Sequence, residues 1–350
     1  MKSYEKYMLE CFELAKKGAG FVSPNPLVGC IVLDKNDNVI STGYHHKYGE
    51  NHAERDALLK LQNDEAKDGT LIVNLEPCSH FGKTPPCADL IVERGLKKVV
   101  IAMRDVNPIV AGNGIKKLKE AGIEVIENVL ETQAKDLNEI FIKNMVEKKV
   151  FVALKTATTL DGKISTKTGS SKWITSENAR KKGKKLRELY DAVMTTSSTV
   201  LADEPEFNCK TKILLDRELK CNFSMKYFKT GKIYIATCKK NLPQCPDNVE
   251  FIQCSEENGK LNLEELFKTL FDMKIMSVFV EAGGILNGEL LEKNLVDKIY
   301  QFIAPKIIGD NSAKSAFSGR NITEISDSKT FKIQTVKQIE PDILITLKKA

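Results

Sequence analysis

The distribution of histidine and cysteine in the first hundred residues limits most strongly what this chain can fold into. All 4 histidines lie between positions 45 and 80, and Cys78 and Cys87 belong to the same stretch. His52 begins a helical pattern as His-Ala-Glu, and each of the two cysteines follows a proline. Such clustering is not expected of residues that only fill a core. We therefore predict that the fold brings His52, Cys78 and Cys87 together around one metal ion.

The residue types in this cluster indicate zinc. One imidazole and two thiolates leave the fourth tetrahedral position of the ion free for water, whereas a structural zinc site is normally closed by a fourth ligand. Zinc lowers the pKa of a bound water towards ~7, and Glu54 is placed to carry the proton. A structural zinc knuckle and two unrelated core cysteines stay open as alternatives, but both leave Glu54 without a purpose.

The spacing of the two cysteines departs from the general signature of zinc deaminases. That signature has two residues between the cysteines, whereas residues 79–86 separate them here. The residues alone thus favour a zinc deaminase with an enlarged loop, and they leave its substrate undetermined.

Strand-like and helix-like segments alternate from residue 28 to about residue 145. This alternation predicts one sheet with helices on both faces. The charged stretch at 147–149 then precedes a new apolar strand, so we place the domains at residues 1–147 and 148–350. The predicted elements include helices at 53–61, 88–94, 131–145, 176–189 and 263–272 and strands at 28–33, 39–44, 71–75, 99–103, 150–155 and 276–281.

The composition excludes several classes of protein. Of the 350 residues, 42% are hydrophobic and 29% are charged, as in ordinary globular domains. The longest uncharged stretch, Gly18–Leu33, is too short and too interrupted by proline to cross a bilayer. The first 17 residues carry charges within a helical pattern, unlike a secretory leader. We therefore predict a cytosolic protein, and a net charge of +6 gives no indication of a nucleic-acid partner.

Two segments of the second domain suggest a ligand site. The single tryptophan, Trp173, stands among polar residues just before a helix that carries Arg187. An apolar strand at 276–281 runs into Gly283 and Gly284, and glycines at such a turn let phosphate approach backbone N–H groups. Each signal has a plainer alternative. A lone tryptophan is commonly a core residue, and two glycines without the G-x-G-x-x-G spacing commonly form a tight turn.

The first domain resembles a known family. Residues 52–54, 77–87, 23–29 and 103–108 resemble the deaminase half of the bifunctional riboflavin biosynthesis proteins, the pyrimidine deaminase/reductases. The enlarged loop between the cysteines is that family's own version. The resemblance implies a cytidine-deaminase-like α/β/α sandwich, in which His52, Cys78 and Cys87 bind zinc and Glu54 is the catalytic proton shuttle. It further implies substrate contacts at Asn25, His45, His80, Lys83, Asp105 and Asn107.

The second domain continues this resemblance, which covers nearly the whole chain. Residues 154–164, 171–176, 199–205, 280–284 and 304–309 resemble the reductase half, an α/β domain similar in fold to dihydrofolate reductase and dependent on NADPH. The implied NADPH contacts are Ala157, Trp173, Thr199, Asp203, Gly283, Gly284, Ile285, Leu286, Asn287, Gly288 and Glu289. The implied substrate contacts are Lys155, Ser171, Arg187, Phe207, Lys210 and Glu281.

Several positions depart from the family pattern. Arg55 and Asp56 stand where an apolar residue and a histidine are expected, which affects helix packing more than the metal. Glu204 replaces an expected Asp or Asn, and the segment after Pro205 is short. Lys210 stands where a phosphate-binding arginine is expected. Lysine keeps the charge but loses the bidentate fork of arginine.

The resemblance implies two consecutive reactions. The first is the zinc-dependent hydrolytic deamination of 2,5-diamino-6-(5-phosphoribosylamino)pyrimidin-4(3H)-one. The second is the NADPH-dependent reduction of the ribosyl group, which gives 5-amino-6-(5-phosphoribitylamino)uracil. We predict a homo-oligomer that acts on this small molecule and binds neither nucleic acid nor membrane. Two other functions stay open: a nucleoside or nucleic-acid deaminase joined to a different reductase-like domain, and a zinc-stabilised binding protein without turnover.

Overall fold

The computed structural model describes residues 4–81, 85–107 and 111–350. The chain divides into two compact units, one ending at Lys148 and the other beginning at Lys149. This division falls within the charged stretch 147–149 that the sequence suggested as a boundary. Within the described residues, no helix is both long enough and apolar enough to cross a membrane.

The first unit alternates between strands and helices. Its strands are β1 (Gly29–Leu33), β2 (Val39–Tyr44), β3 (Thr70–Leu75), β4 (Lys98–Met103) and β5 (Glu124–Ile126). Its helices are α1 (Glu5–Lys16), α2 (Ala53–Leu58), α3 (Cys87–Glu93), α4 (Asn113–Glu120), α5 (Glu131–Leu137) and α6 (Glu139–Glu147). The strands form one sheet in the order β2-β1-β3-β4-β5. β1 pairs antiparallel with β2 and β3, whereas β3, β4 and β5 run parallel.

The central strands of this sheet are covered on both faces. Every residue of β3 is buried, as are all residues of β4 except the first, which is the pattern expected of parallel strands between two helix layers. α3 contacts both α2 and α4, while α5 contacts both α1 and α6. The predicted α/β/α arrangement is therefore confirmed. Because β3 and β4 are parallel, the segments that follow them lie at the same edge of the sheet.

The second unit has a larger sheet. Its helices are α7 (Glu177–Arg187), α8 (Ser197–Asp203), α9 (Leu263–Asp272) and α10 (Gly284–Glu292), with 3-10 turns at Lys226–Lys229 and Ile325–Asp327. Its strands are β6 (Phe151–Thr159), β7 (Lys163–Ser165), β8 (Ala192–Thr196), β9 (Thr211–Leu215), β10 (Lys232–Thr237), β11 (Val249–Gln253), β12 (Glu256–Glu257), β13 (Lys260–Leu261), β14 (Ser277–Val280), β15 (Lys298–Ala304), β16 (Lys314–Ser315), β17 (Phe331–Ile339) and β18 (Asp342–Lys349).

Nine of these strands form one sheet in the order β11-β10-β9-β8-β14-β6-β15-β18-β17. The strands from β11 to β15 run parallel, and β18 and β17 continue the sheet as an antiparallel pair. The carboxyl ends of β8, β14, β6 and β15 therefore meet at one edge. In open α/β sheets, ligands bind outside this edge.

The predicted elements agree with the structure in kind, except that the helix predicted at 131–145 is two helices, α5 and α6. Asn138 leaves the helical conformation between them, and its side chain bonds the backbone N–H and carbonyl of Leu27. The other elements differ mainly at their ends. The helix predicted at 53–61 ends at Leu58, and the one predicted at 176–189 spans Glu177–Arg187. Ser176 caps the latter helix, because its side chain accepts a hydrogen bond from the backbone N–H of Ala179 at 3.2 Å. A serine at this position satisfies a donor that the helix itself leaves free.

Candidate active sites

The three predicted zinc ligands meet at one edge of the first sheet. Cys78 follows β3, His52 is the residue before α2, and Cys87 is the first residue of α3. The Nδ1 atom of His52 lies 3.6 Å from the sulfur of Cys78 and 3.6 Å from the sulfur of Cys87. Among the described residues, these three side chains form the group able to hold a metal ion. No fourth protein donor closes that group within the described part of the chain.

This geometry fits zinc. Bond lengths of about 2.05 Å to nitrogen and about 2.3 Å to sulfur, at the tetrahedral angle, separate the two ligand atoms by about 3.6 Å. The backbone N–H of Cys87 also donates to the sulfur of Cys78 at 3.3 Å. Hydrogen bonds from Cys87 lower the pKa of the Cys78 thiol to about 4, against the opposing effect of burial. Cys78 is therefore disposed to be the thiolate that metal binding requires.

Glu54 lies in the first turn of α2 beside this cluster. Its side chain is buried, and burial raises its pKa to about 7. A carboxyl group in this range takes up and releases a proton near neutral pH. Glu54 lines a cavity of about 260 Å³ together with His52 and Cys78. The proton shuttle predicted from sequence is thus placed at the cavity wall, next to the metal ligands.

Five of the six predicted substrate contacts of this half line the same cavity. They are Asn25, His45, His80, Asp105 and Asn107. The sixth, Lys83, lies outside the described residues.

His45 is held in one orientation. Its Nδ1 atom lies 2.9 Å from the carbonyl oxygen of Asn51, so Nδ1 carries the proton and donates. Nε2 is then an acceptor for the amide of Asn25 at 3.2 Å, and burial lowers the pKa of the ring, which favours this neutral form. The ring also stands edge-on to that of His52, with centroids 5.4 Å apart. His45 therefore fixes the direction in which the Asn25 carboxamide faces the cavity.

Asp105 and Asn107 follow β4 and line the same cavity. The Asp105 carboxylate accepts a hydrogen bond from the backbone N–H of Asn107 at 2.8 Å. Burial raises the pKa of Asp105 to about 6, and the negative charge of Glu76 adds to this effect. Near neutral pH this side chain presents acceptor oxygens, which suit the N–H edge of a pyrimidine.

Glu76 is a site residue that the sequence analysis missed. Its buried carboxylate accepts four backbone N–H groups at 3.0 to 3.2 Å, those of Asp105, Gly112, Gly114 and Ile115. It thereby joins the end of β3 to the loop after β4 and to the first turn of α4. The sequence offered one indication of this role, since Glu76 is a charged residue between an apolar strand and Pro77-Cys78. An acidic residue in such a position indicates a carboxylate that binds backbone donors.

We expect Glu76→Gln to destabilise the first unit by about 2–3 kcal/mol, because the amide NH₂ faces donors where the carboxylate had accepted. This corresponds to a fall of about 5 to 10 °C in the temperature at which ammonia-releasing activity is lost on heating. Glu120→Gln is the matched control, since Glu120 is exposed on α4 and only faces Lys116 at 3.8 Å. Equal heat resistance of the two variants would contradict the role given to Glu76.

Asp56, one of the departures from the family pattern, supports the same region. Its carboxylate accepts hydrogen bonds from the backbone N–H of Tyr44 at 3.1 Å and from the side chain of Lys60 at 2.9 Å, and it lies 3.2 Å from the ring of His46. Tyr44 is the last residue of β2 and directly precedes His45. Asp56 therefore ties α2 to the end of the strand that leads into His45.

In the second unit, Glu281 joins two cationic side chains. One carboxylate oxygen lies 3.3 Å from Nζ of Lys155 and accepts from Nη2 of Arg187 at 3.1 Å, while Nε of Arg187 donates to the other. Burial alone would raise the pKa of Glu281, but the charges of Lys155 and Arg187 outweigh it and lower the pKa. The Arg187 guanidinium also stacks 4.5 Å from the ring of Phe207. Four predicted substrate contacts, Lys155, Arg187, Phe207 and Glu281, therefore form one group.

The other two predicted substrate contacts of this half lie on loops. Ser171 is half-buried before α7, and Lys210 is exposed just before β9. Their predicted contacts with substrate stay predictions.

The predicted cofactor contacts begin at the carboxyl edge of the sheet. Ala157 lies near the end of β6 and is half-buried. Thr199 lies in the first turn of α8, and Asp203, the last residue of that helix, is exposed. Trp173 is 61% exposed and stacks on the guanidinium of Arg180 at 4.2 Å. β6, which carries Ala157, and β8, which leads into Thr199, flank β14 in the sheet, so the fold brings these two segments to one edge although they are distant in sequence.

The segment 283–289 divides into an open part and a packed part. A side chain at Gly283 would meet no atom within 4 Å, and Ile285 is 66% exposed. In contrast, a Cβ at Gly288 would lie 1.9 Å from the carbonyl oxygen of Ser318, and one at Gly284 would lie 2.2 Å from that of Ser315. These two glycines are needed for close packing of α10.

The remaining members of the segment also have partners within the protein. Leu286 and Asn287 are buried, and the Asn287 amide donates to the carbonyl oxygen of Ala316 at 2.9 Å. Glu289 pairs with Lys260 at 3.2 Å. Contact of these three residues and of Gly288 with a cofactor therefore stays a prediction, whereas the open part of the segment is available to a ligand.

Comparison with known proteins assigns both halves of the chain. Residues 1–103 match the cytidine and deoxycytidylate deaminase zinc-binding region, and residues 150–345 match the RibD C-terminal domain. The riboflavin biosynthesis protein RibD of Actinobacillus pleuropneumoniae is 39% identical over 353 residues, covering 97% of this chain and 93% of that protein. RibD of Escherichia coli strain K12 is 34% identical, with 98% of each protein covered.

Solved structures agree with this assignment. A diaminohydroxyphosphoribosylaminopyrimidine deaminase/5-amino-6-(5-phosphoribosylamino)uracil reductase from Thermotoga maritima superposes with a TM-score of 0.89 and is 37% identical, with 99% of both chains covered. Acinetobacter baumannii RibD superposes with a TM-score of 0.87 at 33% identity, covering 100% of this chain and 99% of that one.

The two sites and these matches define a bifunctional enzyme with a zinc-binding deaminase half and a reductase half. The same relatives match both halves in a single alignment, so the alternative of a deaminase joined to a different reductase-like domain is excluded. The chain belongs to the RibD family of riboflavin biosynthesis proteins.

Proposed function

We propose that the first half removes the 2-amino group of 2,5-diamino-6-(5-phosphoribosylamino)pyrimidin-4(3H)-one as ammonia. The second half then reduces the ribosyl group with NADPH to give 5-amino-6-(5-phosphoribitylamino)uracil. The observation that carries the proposal is the group of His52, Cys78 and Cys87, together with Glu54, which lines one cavity with His52 and Cys78. The names of the Thermotoga maritima relative's two activities agree with this order of reactions.

In the deaminase half, His52, Cys78 and Cys87 would hold zinc, which when bound supplies a Lewis acid that makes water nucleophilic near neutral pH. Glu54 accepts a proton from that water on a carboxylate oxygen and donates it to the nitrogen of the departing amine. Asn25 and Asp105 both line the cavity and would bind the polar edge of the pyrimidine. Their positions orient the ring for attack at the carbon that carries the amino group.

In the reductase half, bound NADPH supplies the hydride for C1′ of the ribosyl group. Lys155 and Arg187 provide cationic groups for the sugar phosphate end of the substrate, and Glu281 holds both in position. Trp173 and the open backbone at Gly283 are placed to bind the dinucleotide. The protein contributes orientation and exclusion of water, while the cofactor carries the chemistry.

The two activities should be separable, because the proposed sites share no residue and each lies within one compact unit. A fragment ending at Lys148 should release ammonia from the diaminopyrimidine without any nicotinamide. A fragment beginning at Lys149 should oxidise NADPH only when it is given the deaminated ribosylamine. The measurements are ammonia release and absorbance at the NADPH band. Ammonia release that requires NADPH, from either the fragment or the full chain, would contradict the proposal.

We expect one zinc ion per chain, since one group of ligands with suitable geometry is found among the described residues. Cys87→Ala should remove the metal and all ammonia release, because two protein ligands hold zinc far more weakly than three. Metal analysis of purified protein checks this expectation. Cys30→Ala is the matched control, as Cys30 is equally buried and lies outside the ligand group. Stoichiometric zinc in the Cys87→Ala protein would refute the assignment.

We further propose that the enzyme is cytosolic and acts on its small-molecule substrate as a homo-oligomer. We propose no nucleic-acid partner and no membrane partner. Mass measurement of the purified chain by light scattering tests the oligomeric part.

A further inference from the structure

The single tryptophan of the chain is exposed and yet firmly held. Trp173 is 61% exposed, although the guanidinium of Arg180 covers one face of its indole at 4.2 Å from the ring centre. The exposed area therefore belongs mainly to the other face. An open indole face of this kind can stack on another flat ring.

Three elements hold this tryptophan and the segment that follows it. Nζ of Lys306, which follows β15, donates to the carbonyl oxygen of Trp173 at 2.8 Å. The Arg180 side chain also donates to the carbonyl oxygen of Thr175 at 2.8 Å. The buried Asp342 carboxylate of β18 accepts from the backbone N–H of Ser176 at 2.7 Å. The indole is thus supported on a fixed backbone, and Arg180 is the contact that sets the plane of the ring.

Arginine is suited to this arrangement. Its planar guanidinium stacks on an aromatic face and can at the same time donate in its own plane, as Arg180 does to Thr175. A cation on one face of an indole stabilises the pair more strongly as the pair becomes desolvated. Binding of a flat ring to the open face would desolvate the pair in this way. Arg180 and a ligand on the far side of Trp173 would therefore stabilise each other.

We propose that Arg180 is a positioning residue of the reductase half, which stacks beneath Trp173 and holds its open face ready for the nicotinamide dinucleotide. This inference rests on the proposed function, since it assumes that Trp173 contacts NADPH. Arg180 itself acts through the indole and does not touch the reacting atoms. Its loss should weaken cofactor binding and leave the deaminase half unaffected.

The single tryptophan allows a direct test in the full chain. Arg180→Lys keeps the charge without the planar stack, and Arg180→Gln removes the charge. Lys182→Met is the matched control, because Lys182 is exposed on the same helix. Tryptophan emission and its quenching by acrylamide report the state of the indole, NADPH titration gives the Kd, and the two reactions are assayed separately. Lys306→Met, a change at an exposed side chain, releases the backbone contact without touching the stack.

We expect both Arg180 variants to show greater acrylamide quenching and a Kd for NADPH raised by about threefold to thirtyfold. The kcat of the reductase at saturating NADPH and the rate of ammonia release should stay within about twofold of the wild type. Lys306→Met should shift quenching and Kd in the same direction by a smaller factor. Lys182→Met should match the wild type.

Unchanged quenching and unchanged Kd in Arg180→Gln would overturn the inference. A raised Kd with wild-type tryptophan emission would also overturn it, because Arg180 would then act on NADPH directly. If Arg180→Gln fails to fold, as judged by its circular dichroism, the more conservative Arg180→Lys decides the question with the same readouts. Failure of the proposed function gives a different result, since the wild type itself would then neither bind nor oxidise NADPH.

Discussion

Replacing Glu54 with glutamine should leave the zinc content unchanged and lower the rate of ammonia release by a factor on the order of 10² or more. Glutamine has the shape of glutamate, but its amide does not take a proton from water and return it to a leaving amine. The residue lies beside the three ligands and is not one of them. The change therefore separates the chemistry of the site from its ability to hold metal.

The size of the effect follows from the position of Glu54. Its side chain is buried at the cavity wall, so bulk water does not readily replace it as the proton carrier. Glu93→Gln is the matched control, because Glu93 is exposed at the end of α3. Ammonia release and metal content are measured on both proteins. Wild-type turnover by a zinc-loaded Glu54→Gln protein would require another group as the shuttle.

The second large effect is expected in the other half. Glu281→Gln should lower NADPH consumption on the deaminated substrate by a factor on the order of 10² or more, while ammonia release continues. Loss of this carboxylate leaves Lys155 and Arg187 close together without their counter-charge. Removing one partner of a buried ion pair typically costs ~3–5 kcal/mol. A rise of ~1.4 kcal/mol in the activation free energy lowers the rate tenfold, so a part of this cost is enough for the expected effect.

Stability has to be separated from activity in this variant, since the same repulsion weakens the folded state. Glu292→Gln is the control, because Glu292 also pairs with an arginine, Arg320, but at the exposed end of α10. Both proteins are compared at a temperature at which circular dichroism shows them folded. Loss of ammonia release in a folded, zinc-loaded Glu281→Gln protein would mean that the two sites are coupled, against the two-unit description.

The zinc site could be predicted from the sequence because its information is local. His52, Cys78 and Cys87 each stand beside a helix start or a strand end, and their side chains have few uses in combination other than binding zinc. The proposed proton shuttle, Glu54, could be predicted because it lies two residues after His52. The role of Glu76 could not be predicted in this way, because its hydrogen-bond partners lie 29 to 39 positions further along the chain.

In the reductase half, the structure was needed to separate residues that pack the fold from residues that are open to a ligand. The resemblance assigns the whole segment 283–289 to the cofactor, yet glycine is required at 284 and 288 because a neighbouring loop packs closely against both positions. Arg187 and Glu281 are 94 positions apart, and Lys155 and Glu281 are 126 apart. No spacing rule joins residues at such separations. Lys155 meets Glu281 because β6 pairs in parallel with β14, with Leu154 opposite Val280. Arg187 reaches the same carboxylate from the end of α7.

The sequence by itself determined the types of element, and it predicted the two-domain division and the residues of the candidate zinc site. These depend on side-chain type and backbone preference, which are properties of neighbouring residues. Only the tertiary structure decided that Glu76 binds four backbone donors, that Glu281 holds two cations and that Arg180 supports Trp173. Burial, pKa and ion pairing depend on which distant segments exclude water from a group, and only the folded chain fixes those segments around it.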